Sequence, residues 1–575
     1  MGTVAATTSV RDSPCGEPVA EKASARRDIR TALVLTLAVW LCALATVPFV
    51  GVAMNDDASY AHSARVFAEE GRIAYNGWGS LILIPQIIYG SVLIKLFGFS
   101  YLALDMSGIF LGGVCAALMY VLARACGLGR PVACLASGIL VLNPVSIALM
   151  PSFMTEFPSL ALQLCSLLAL VRAVRGAREG GRIDGGFLAV SVLLGMAAGS
   201  NRQPCWAASL GALIAVYLHC PKDRRRVALA ATTLAAFAAA VTLWHAQQPF
   251  AAAPPWSRLA QEIVQRPMRP LMNAYELINL GALLALPLIL LLRRPERANS
   301  AAILAVLTAC VVLGALPVDH KYWGDPQEYL TITHSGPRLV DGQWRDAPAL
   351  ELAVRFLVRT FGAFVLGYAL YLVAGWLREH RSLRSGEDAL PAWILLWSTA
   401  VQMAVLLPWF SLNYVFDRYL IGLLPGPLIV LGLCAQAGFG SHWWARRLRL
   451  AGGALAALAL VSVAFGWEYM RYTQARTDAY RSLTSVGVPR TRISGGIDMD
   501  NDTQLALGGQ LHSPLVKDQV NAVFIRPAFF VSETPTIEWA ETDVVRRVPY
   551  PTVLPPFRRD MYVLKTRSRH AERSR

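Results

Sequence analysis

Apolar runs long enough to cross a bilayer recur along this chain from Thr31 to Trp467. A spanning helix needs about 20 apolar residues, and runs of that length leave little choice but a polytopic helical membrane protein. The balance of residues agrees. Charged residues make up 16% of the 575 and mean hydropathy is +0.43, whereas soluble chains carry about 25% charged residues. The net charge of +15 does not point to nucleic acid. The positive residues come in short clusters between apolar runs, as cytoplasmic loops do, and such clusters also hold anionic headgroups.

Those clusters set a topology. Arg26-Arg27 with Arg30, Arg124 with Arg130, Arg172 to Arg182, Lys222 to Arg226, Arg293 to Arg297, Arg378 to Arg384 and Arg446 to Arg449 all fit the cytoplasmic side. Spans are then expected near 31–53, 101–124, 132–150, 157–173, 186–200, 204–219, 227–244, 276–292, 300–318, 350–377, 391–410, 420–438 and 450–467. That is about 13 transmembrane helices, with a cytoplasmic tail over 1–30, a membrane domain over 31–467 and an exterior region over 468–575. Residues 1–30 lack a cleavable signal pattern, and Thr31–Val52 reads as a signal anchor. The expected location is the cell inner (plasma) membrane, multi-pass, with the N-terminus cytoplasmic and the C-terminal domain periplasmic. The 10 cysteines lie mostly in the apolar segments and none lies in 468–575. That region has no disulfide framework, and no Cys/His zinc pattern appears.

The first exterior loop, 54–100, is unusual. It opens with Asn55-Asp56-Asp57-Ala58-Ser59-Tyr60-Ala61. Anchoring a helix needs Lys or Arg rather than paired carboxylates, so Asp56 and Asp57 suggest acid/base chemistry or cation binding at the membrane surface. Residues 57–70 read as an amphipathic helix with Tyr60, Ala61, Ala64 and Phe67 on one face. A turn follows at Tyr75-Asn76-Gly77-Trp78-Gly79. Leu81–Phe97 contains Pro85, Gln86 and Lys95, and as a span it would invert every later basic loop. It is therefore expected to be an interfacial or re-entrant helix. Long loops over 245–275 and 319–349 are rich in Pro and aromatics. Beyond about Thr473 short β-like runs appear at Arg492–Ile497, Val520–Val531, Asp543–Val548 and Met561–Leu564. They predict a small α/β exterior C-terminal domain with a basic tail. His62, His245, His320 and His334 are scattered and read as surface residues.

Several motifs together resemble the GT-C superfamily of membrane glycosyltransferases, in the bacterial branch similar to protein O-mannosyltransferases and the aminoarabinose transferase of lipid A. They are Asp56-Asp57 after the first span, Tyr60-Ala61 in the amphipathic helix, and Lys95-Leu96-Phe97-Gly98 at the loop's end. Thr155-Glu156-Phe157-Pro158 resembles the second acidic loop. Gly199-Ser200-Asn201-Arg202 resembles an arginine turn, and Asp417-Arg418-Tyr419-Leu420 resembles a late Arg-Tyr segment. The likeness covers the membrane region in layout and about the first 200 residues in motif.

The resemblance implies transfer of a sugar, with inversion, from a polyprenyl-phosphate donor to an acceptor on the exterior face. Asp56 matches the general base, and Asp57 would orient the acceptor, hold a cation or start the next helix. Lys95, Arg202 and Arg418 would bind the donor phosphate. Glu156 and Tyr60 would belong to the acceptor or cation site. No cofactor is required by this reading. A divalent cation bridging Asp56 or Asp57 and Glu156 is compatible with the superfamily, and hard oxygen ligands suit Mg²⁺, Mn²⁺ or Ca²⁺ better than zinc. The partners would be the donor lipid, membrane lipids and a glycan, lipid or protein acceptor, with no nucleic acid. Sugar and acceptor stay open. The competing reading is a transporter or flippase of a lipid-linked glycan, but charged residues are scarce within the spans, where transporters place their sites. A glycan polymerase or ligase is a third reading, and it gives no reason for the Asp56-Asp57 helix unit.

Overall fold

A computed structural model of the chain describes residues 17–54, 56–78, 81–178, 181–251, 256–292, 308, 338–340, 343–345, 360–374, 389–411, 417–436, 444–511, 524–537, 541–553 and 557–567. The expected span 300–318, most of loop 319–349, His320 and His334 lie outside the described residues.

Helices dominate. Five are long and apolar enough to cross a membrane: Tyr101–Ala125, Glu156–Ala173, Pro221–Ala246, Leu390–Ser411 and Trp444–Thr484. Shorter apolar helices such as Gly185–Asn201 and Pro204–His219 stand among them. The protein is a multi-pass membrane protein. The count of 13 spans is neither reached nor excluded by the described residues.

Prolines account for several departures from the expected boundaries. The run 132–150 is two helices, Arg130–Val141 and Pro144–Leu149. Buried Asn143 sits between them, accepting from the Ser146 amide at 2.9 Å and donating to the Ile139 and Leu140 carbonyls. An Asn cap followed by Pro starts a new helix rather than continuing the old one. Pro425 likewise divides 420–438 into Tyr419–Leu423 and Pro425–Gln436. The first helix is Glu17–Leu44. It reaches back into the expected tail and stops before Pro48, short of residue 53, because the residue before a proline is driven out of helical geometry. Asp28 on this helix pairs with Arg130 at 2.6 Å and Arg124 at 3.5 Å. The first two basic clusters therefore share one end of the bundle, as the loop reading requires.

The helix after the Asp pair is Asp57–Glu70, ended by Gly71 in the left-handed region at φ +71°. Tyr60, Ala61 and Ala64 are buried and Phe67 is half-buried, so the expected face is the packed one. It lies on Ile84–Phe97. That helix has 14 residues, about 21 Å at 1.5 Å per residue, too short to span. A Cβ at Gly90 would collide with Ala64 and the Phe153 ring, so the close approach of the two helices requires glycine there.

The boundary expected at 467/468 falls inside one helix. Trp444–Thr484 runs unbroken for 41 residues, about 60 Å, twice the thickness of a bilayer core. Its apolar first part ends near Trp467. Its second part becomes the core of the C-terminal unit, where Ala475, Ala479, Tyr480 and Leu483 pack against Ile493, Val531, Tyr550, Met561 and Val563. The sheet there has Phe529–Ser532 between Ile493–Ser494, which pairs parallel, and Arg558–Thr566, which pairs antiparallel. Thr542–Pro551 completes the other edge. Helix Ile497–Gly508 leaves this sheet and packs on Asp57–Glu70. The C-terminal unit therefore sits directly against the loop that carries Asp56.

Candidate active site

The residues singled out in the sequence meet at the ends of helices, where the chain turns. Asp56 stands at the N-cap position of Asp57–Glu70, but its side chain makes no capping bond. Its backbone carbonyl takes the Ser59 and Tyr60 amides instead. The carboxylate is thereby free to point away from the helix. Oδ1 accepts from Trp78 Nε1 at 2.6 Å, Oδ2 accepts from the Tyr60 hydroxyl at 3.2 Å, and Arg418 Nη1 lies 3.2 Å from Oδ2.

Glu156 is the first residue of helix Glu156–Ala173. Its Oε1 is ion-paired with Arg202 Nη1 and lies 3.6 Å from Arg418 Nε. Oε2 is buried and has no hydrogen-bond partner among the described residues. Arg202 is the C-cap of Gly185–Asn201, and its guanidinium sits 5.0 Å over the Tyr419 ring. Neighbouring Asn201 ties three segments together. Its Oδ1 accepts the Gln86 amide at 2.9 Å, and its Nδ2 donates to Ser159 Oγ at 2.8 Å. Arg418 is the residue before helix Tyr419–Leu423.

Two guanidinium groups and two carboxylates therefore form one chain, Asp56–Arg418–Glu156–Arg202. The side chains are 17%, 10%, 2% and 12% exposed in that order. Charges this far from water are tolerated because they are mutually paired. Burial, with the Asp56 carboxylate beside it, holds the Tyr60 phenol well above its usual value, so Tyr60 acts as a hydroxyl donor and not as a phenolate.

This network forms the polar end of a cavity of about 640 Å³. The rest of the wall is largely apolar, with Leu210, Leu234, Ala238, Val405 and Trp409 among its residues. Much of it comes from helix Arg224–Ala246, of which only Val227, Leu234 and His245 are buried. His245 is a correction to the surface reading: its ring meets Tyr75 edge-on at 4.6 Å and it is 5% exposed.

Asp56, Tyr60, Glu156, Arg202 and Arg418 all line the cavity, and Asp57 and Lys95 do not. Asp57 is fully buried and accepts the Phe153 amide at 3.1 Å, with Oδ1 lacking a partner among the described residues. It is the first residue of the helix and fastens the loop to the Met150–Met154 turn. Adjacent residues at a helix start diverge by about 100°, which sends the two carboxylates of the pair to different surroundings. Lys95 is exposed in the last turn of Ile84–Phe97, where a cation complements the helix dipole. The expected donor set Asp56, Asp57 and Glu156 does not suit a cation in this arrangement. Asp57 turns to a backbone amide, Arg418 stands between the other two, and no group of three His, Cys, Asp or Glu residues fits a metal ion among the described residues.

Trp78 was not foreseen as a site residue. Its signal lay in the Asn76-Gly77 turn. Buried Asn76 accepts from Ser59 Oγ at 2.8 Å and donates to the Ser59 carbonyl at 2.8 Å, which swings the following Trp78 onto Asp56. The Leu511 amide bonds to the Asn76 carbonyl at 2.7 Å, so the C-terminal unit braces the same turn.

No family model and no curated protein matches the sequence. Among solved structures, the fold is similar to the oligosaccharyltransferase from Archaeoglobus fulgidus tethered to an acceptor peptide with an NVT sequon, at 12% identity and TM-score 0.46 over 85% of this chain and 60% of that one. The archaeal oligosaccharyltransferase AglB from the same organism, in complex with an inhibitory peptide and a dolichol-phosphate, matches at 12% identity and TM-score 0.44 over 85% and 61%. ArnT from Cupriavidus metallidurans bound to undecaprenyl phosphate matches at 14% identity and TM-score 0.36 over 94% and 98%. The chain spans about three fifths of the length of the oligosaccharyltransferase chains. The likenesses are distant, and the chemistry rests on this chain's own residues.

Proposed function

We propose that this protein is an inverting glycosyltransferase that moves a sugar from a polyprenyl-phosphate donor to an acceptor hydroxyl at the exterior face of the membrane. The observation that carries this reading is the two-part cavity. One end holds two carboxylates paired with two guanidinium groups, and the remainder is an apolar channel walled by a helix with little protein behind it. A lipid phosphate carrying a sugar has the same two parts, a long apolar chain and an anionic head.

In the reaction the acceptor oxygen attacks the anomeric carbon as the bond from that carbon to the phosphate oxygen breaks. The bonding pair leaves with the phosphate, and the acceptor proton goes to Asp56. Arg202 and Arg418 are the cations available for the leaving phosphate, and such groups act most strongly where water is excluded. A phosphate drawn between them would compete with Asp56 for Arg418. Oδ2 would then be released to take the proton, while Trp78 holds Oδ1. Tyr60 donates to Oδ2 at rest and would turn to a substrate oxygen, and Glu156 Oε2 is available for a sugar or acceptor hydroxyl.

The test is transfer from radiolabelled polyprenyl-phosphate sugars in membranes, wild type beside Asp56→Asn. Label leaving the lipid for a glycosidic product only in wild type supports the reading. Movement of intact labelled lipid across the membrane, with no new glycosidic bond, would make the protein a transporter instead.

A further inference from the structure

A second cavity, of about 310 Å³, lies on the other side of the Asp56 loop. Its walls come from backbone residues 51–53, the start of helix Tyr101–Ala125, the far half of helix Trp444–Thr484, and helix Ile497–Gly508 with Arg490 nearby. It is therefore a seam between the membrane domain and the C-terminal unit. Ala53 precedes Asp56 by three residues, at most about 11 Å of chain.

We propose that this cavity binds the carbohydrate part of a neutral, sugar-containing acceptor. The inference rests on the glycosyltransferase reading, since it supplies that reaction's acceptor. Three features of the walls support it. First, Tyr101 and Tyr480 both line the cavity, and aromatic rings are the usual partners of the apolar C–H face of a sugar. Second, Arg490, Asp502 and the two tyrosine hydroxyls are paired with one another, and that group of four is neutral. Arg490 Nη2 lies 2.5 Å from Asp502 Oδ2, Asp502 Oδ1 accepts from the Tyr101 hydroxyl at 2.7 Å, and Arg490 Nε reaches the Tyr480 hydroxyl at 3.2 Å. Such a network offers both donors and acceptors to vicinal hydroxyls. With Asp502 cancelling Arg490, one cation remains, Arg481, whose Nη2 lies 3.5 Å from the Val50 carbonyl. Third, the lining residues belong to helices and a short coil, and none of them to a strand. An extended peptide bound by strand addition would have no ladder to join. The volume stands at the low end of small-molecule sites, about 300–1,000 Å³, which suits a mono- or disaccharide.

The experiment is saturation-transfer NMR on the full-length chain in nanodiscs, with methyl glycosides of neutral hexoses and pentoses as probes and no donor present. Wild type should transfer saturation to the ring C–H protons of at least one glycoside. Thr484→Trp, which fills the cavity from its half-buried rim, should abolish the signal, and Arg481→Ala, at an exposed position, should weaken binding at least tenfold. A short Ser/Thr peptide and inorganic phosphate are the control probes. No glycoside binding in wild type, binding that survives both substitutions, or binding of the peptide or phosphate in place of the glycosides overturns the proposal. Cleavage of a polyprenyl-phosphate hexose is read in the same preparations. Glycoside binding without donor cleavage defeats the transferase reading and leaves the cavity a carbohydrate site. Donor cleavage without glycoside binding does the reverse.

Discussion

Arg418 Nη1 lies 3.2 Å from Asp56 Oδ2, so the carboxylate proposed as the base is held by a cation. The same guanidinium reaches Glu156. Removing it leaves two carboxylates facing each other without their shared partner. Arg418→Gln should therefore weaken the donor far more than the acceptor, with the donor KM rising about 10–100-fold, the worth of one charge-assisted hydrogen bond. Steady-state kinetics in donor and acceptor separately will show it, and an equal loss against both substrates would remove Arg418 from the phosphate end.

The two aspartates of the pair should respond differently. Loss of a general base costs about 10²–10⁴-fold, so Asp56→Asn should lose at least a hundredfold in transfer while keeping its fold. Burial pushes the Asp57 carboxyl well above its usual range, with the Asp56 and Asp498 charges adding to the effect. A carboxyl raised on folding contributes stability fully below its unfolded value, and that contribution disappears as pH climbs through the folded value. Asp57→Asn lifts the penalty at alkaline pH. Transfer within about threefold of wild type and an unfolding temperature at pH 8 no lower than wild type are expected. A hundredfold loss of transfer in a folded Asp57→Asn protein would return that carboxylate to the chemistry.

Trp78 positions Asp56 through one hydrogen bond of 2.6 Å. Trp78→Phe keeps a ring on the small cluster of Ala53, Ala58, Leu505 and Leu511 under the C-terminal unit, and deletes the indole N–H. A bond to a charged acceptor is worth about 1.5–3 kcal/mol, so kcat should fall roughly tenfold or somewhat more with the donor KM unchanged. The split between kcat and KM is the readout, because general loosening of the loop would move both.

Arg202 and Lys95 make a paired comparison. Arg202 pairs with Glu156, stacks on Tyr419 and lines the cavity, and Arg202→Ala should raise the donor KM by at least tenfold. Lys95 is exposed on a different helix end, and Lys95→Ala should leave donor dependence within about twofold. Donor titrations of the two variants in one membrane preparation settle the assignment, and an effect of Lys95→Ala as large as that of Arg202→Ala would restore the sequence reading.

The C-terminal unit should loosen as pH rises. Burial pushes the Asp500 carboxyl up to about 6, against the pull of the Gly495 amide and the Ser494 hydroxyl, each 2.9 Å away. Its contribution to stability is fully present below its unfolded value near 3.9 and is lost as pH climbs through about 6. After correction for intrinsic rates, amide exchange in helix Ile497–Gly508 should be faster at pH 8 than at pH 4, by up to roughly a hundredfold. Asp500→Asn should flatten that dependence, and an unchanged slope would place its cause elsewhere.

Much of the layout was legible in the chain. Spanning length and hydropathy mark Tyr101–Ala125, Glu156–Ala173 and the Pro221–Ala246 run, and Pro85, Gln86 and Lys95 argue against a span in the segment that became Ile84–Phe97. The break at Asn143-Pro144 was also written in the residues, but a hydropathy run conceals it because the flanking residues are equally apolar. The helix that crosses residue 467 was hidden for the opposite reason. Polarity changes there while the backbone does not, and the polar half finds its apolar partners in strands from 10 to 88 residues later.

Residue chemistry alone determined that this protein lies in a membrane, that a carboxylate pair opens its first loop, and that Glu156, Arg202 and Arg418 stand at turns rather than within spans. Only the tertiary structure decided which of these share a site. Asp56 and Asp57 are identical in type and adjacent in sequence, yet helical geometry turns one to a cavity and the other to the Phe153 amide. Arg418 is 362 positions from Asp56 by number, and no local pattern could announce that its guanidinium closes onto that carboxylate. Sequence reports what a side chain can do, whereas packing fixes which way it faces and what charge it meets there.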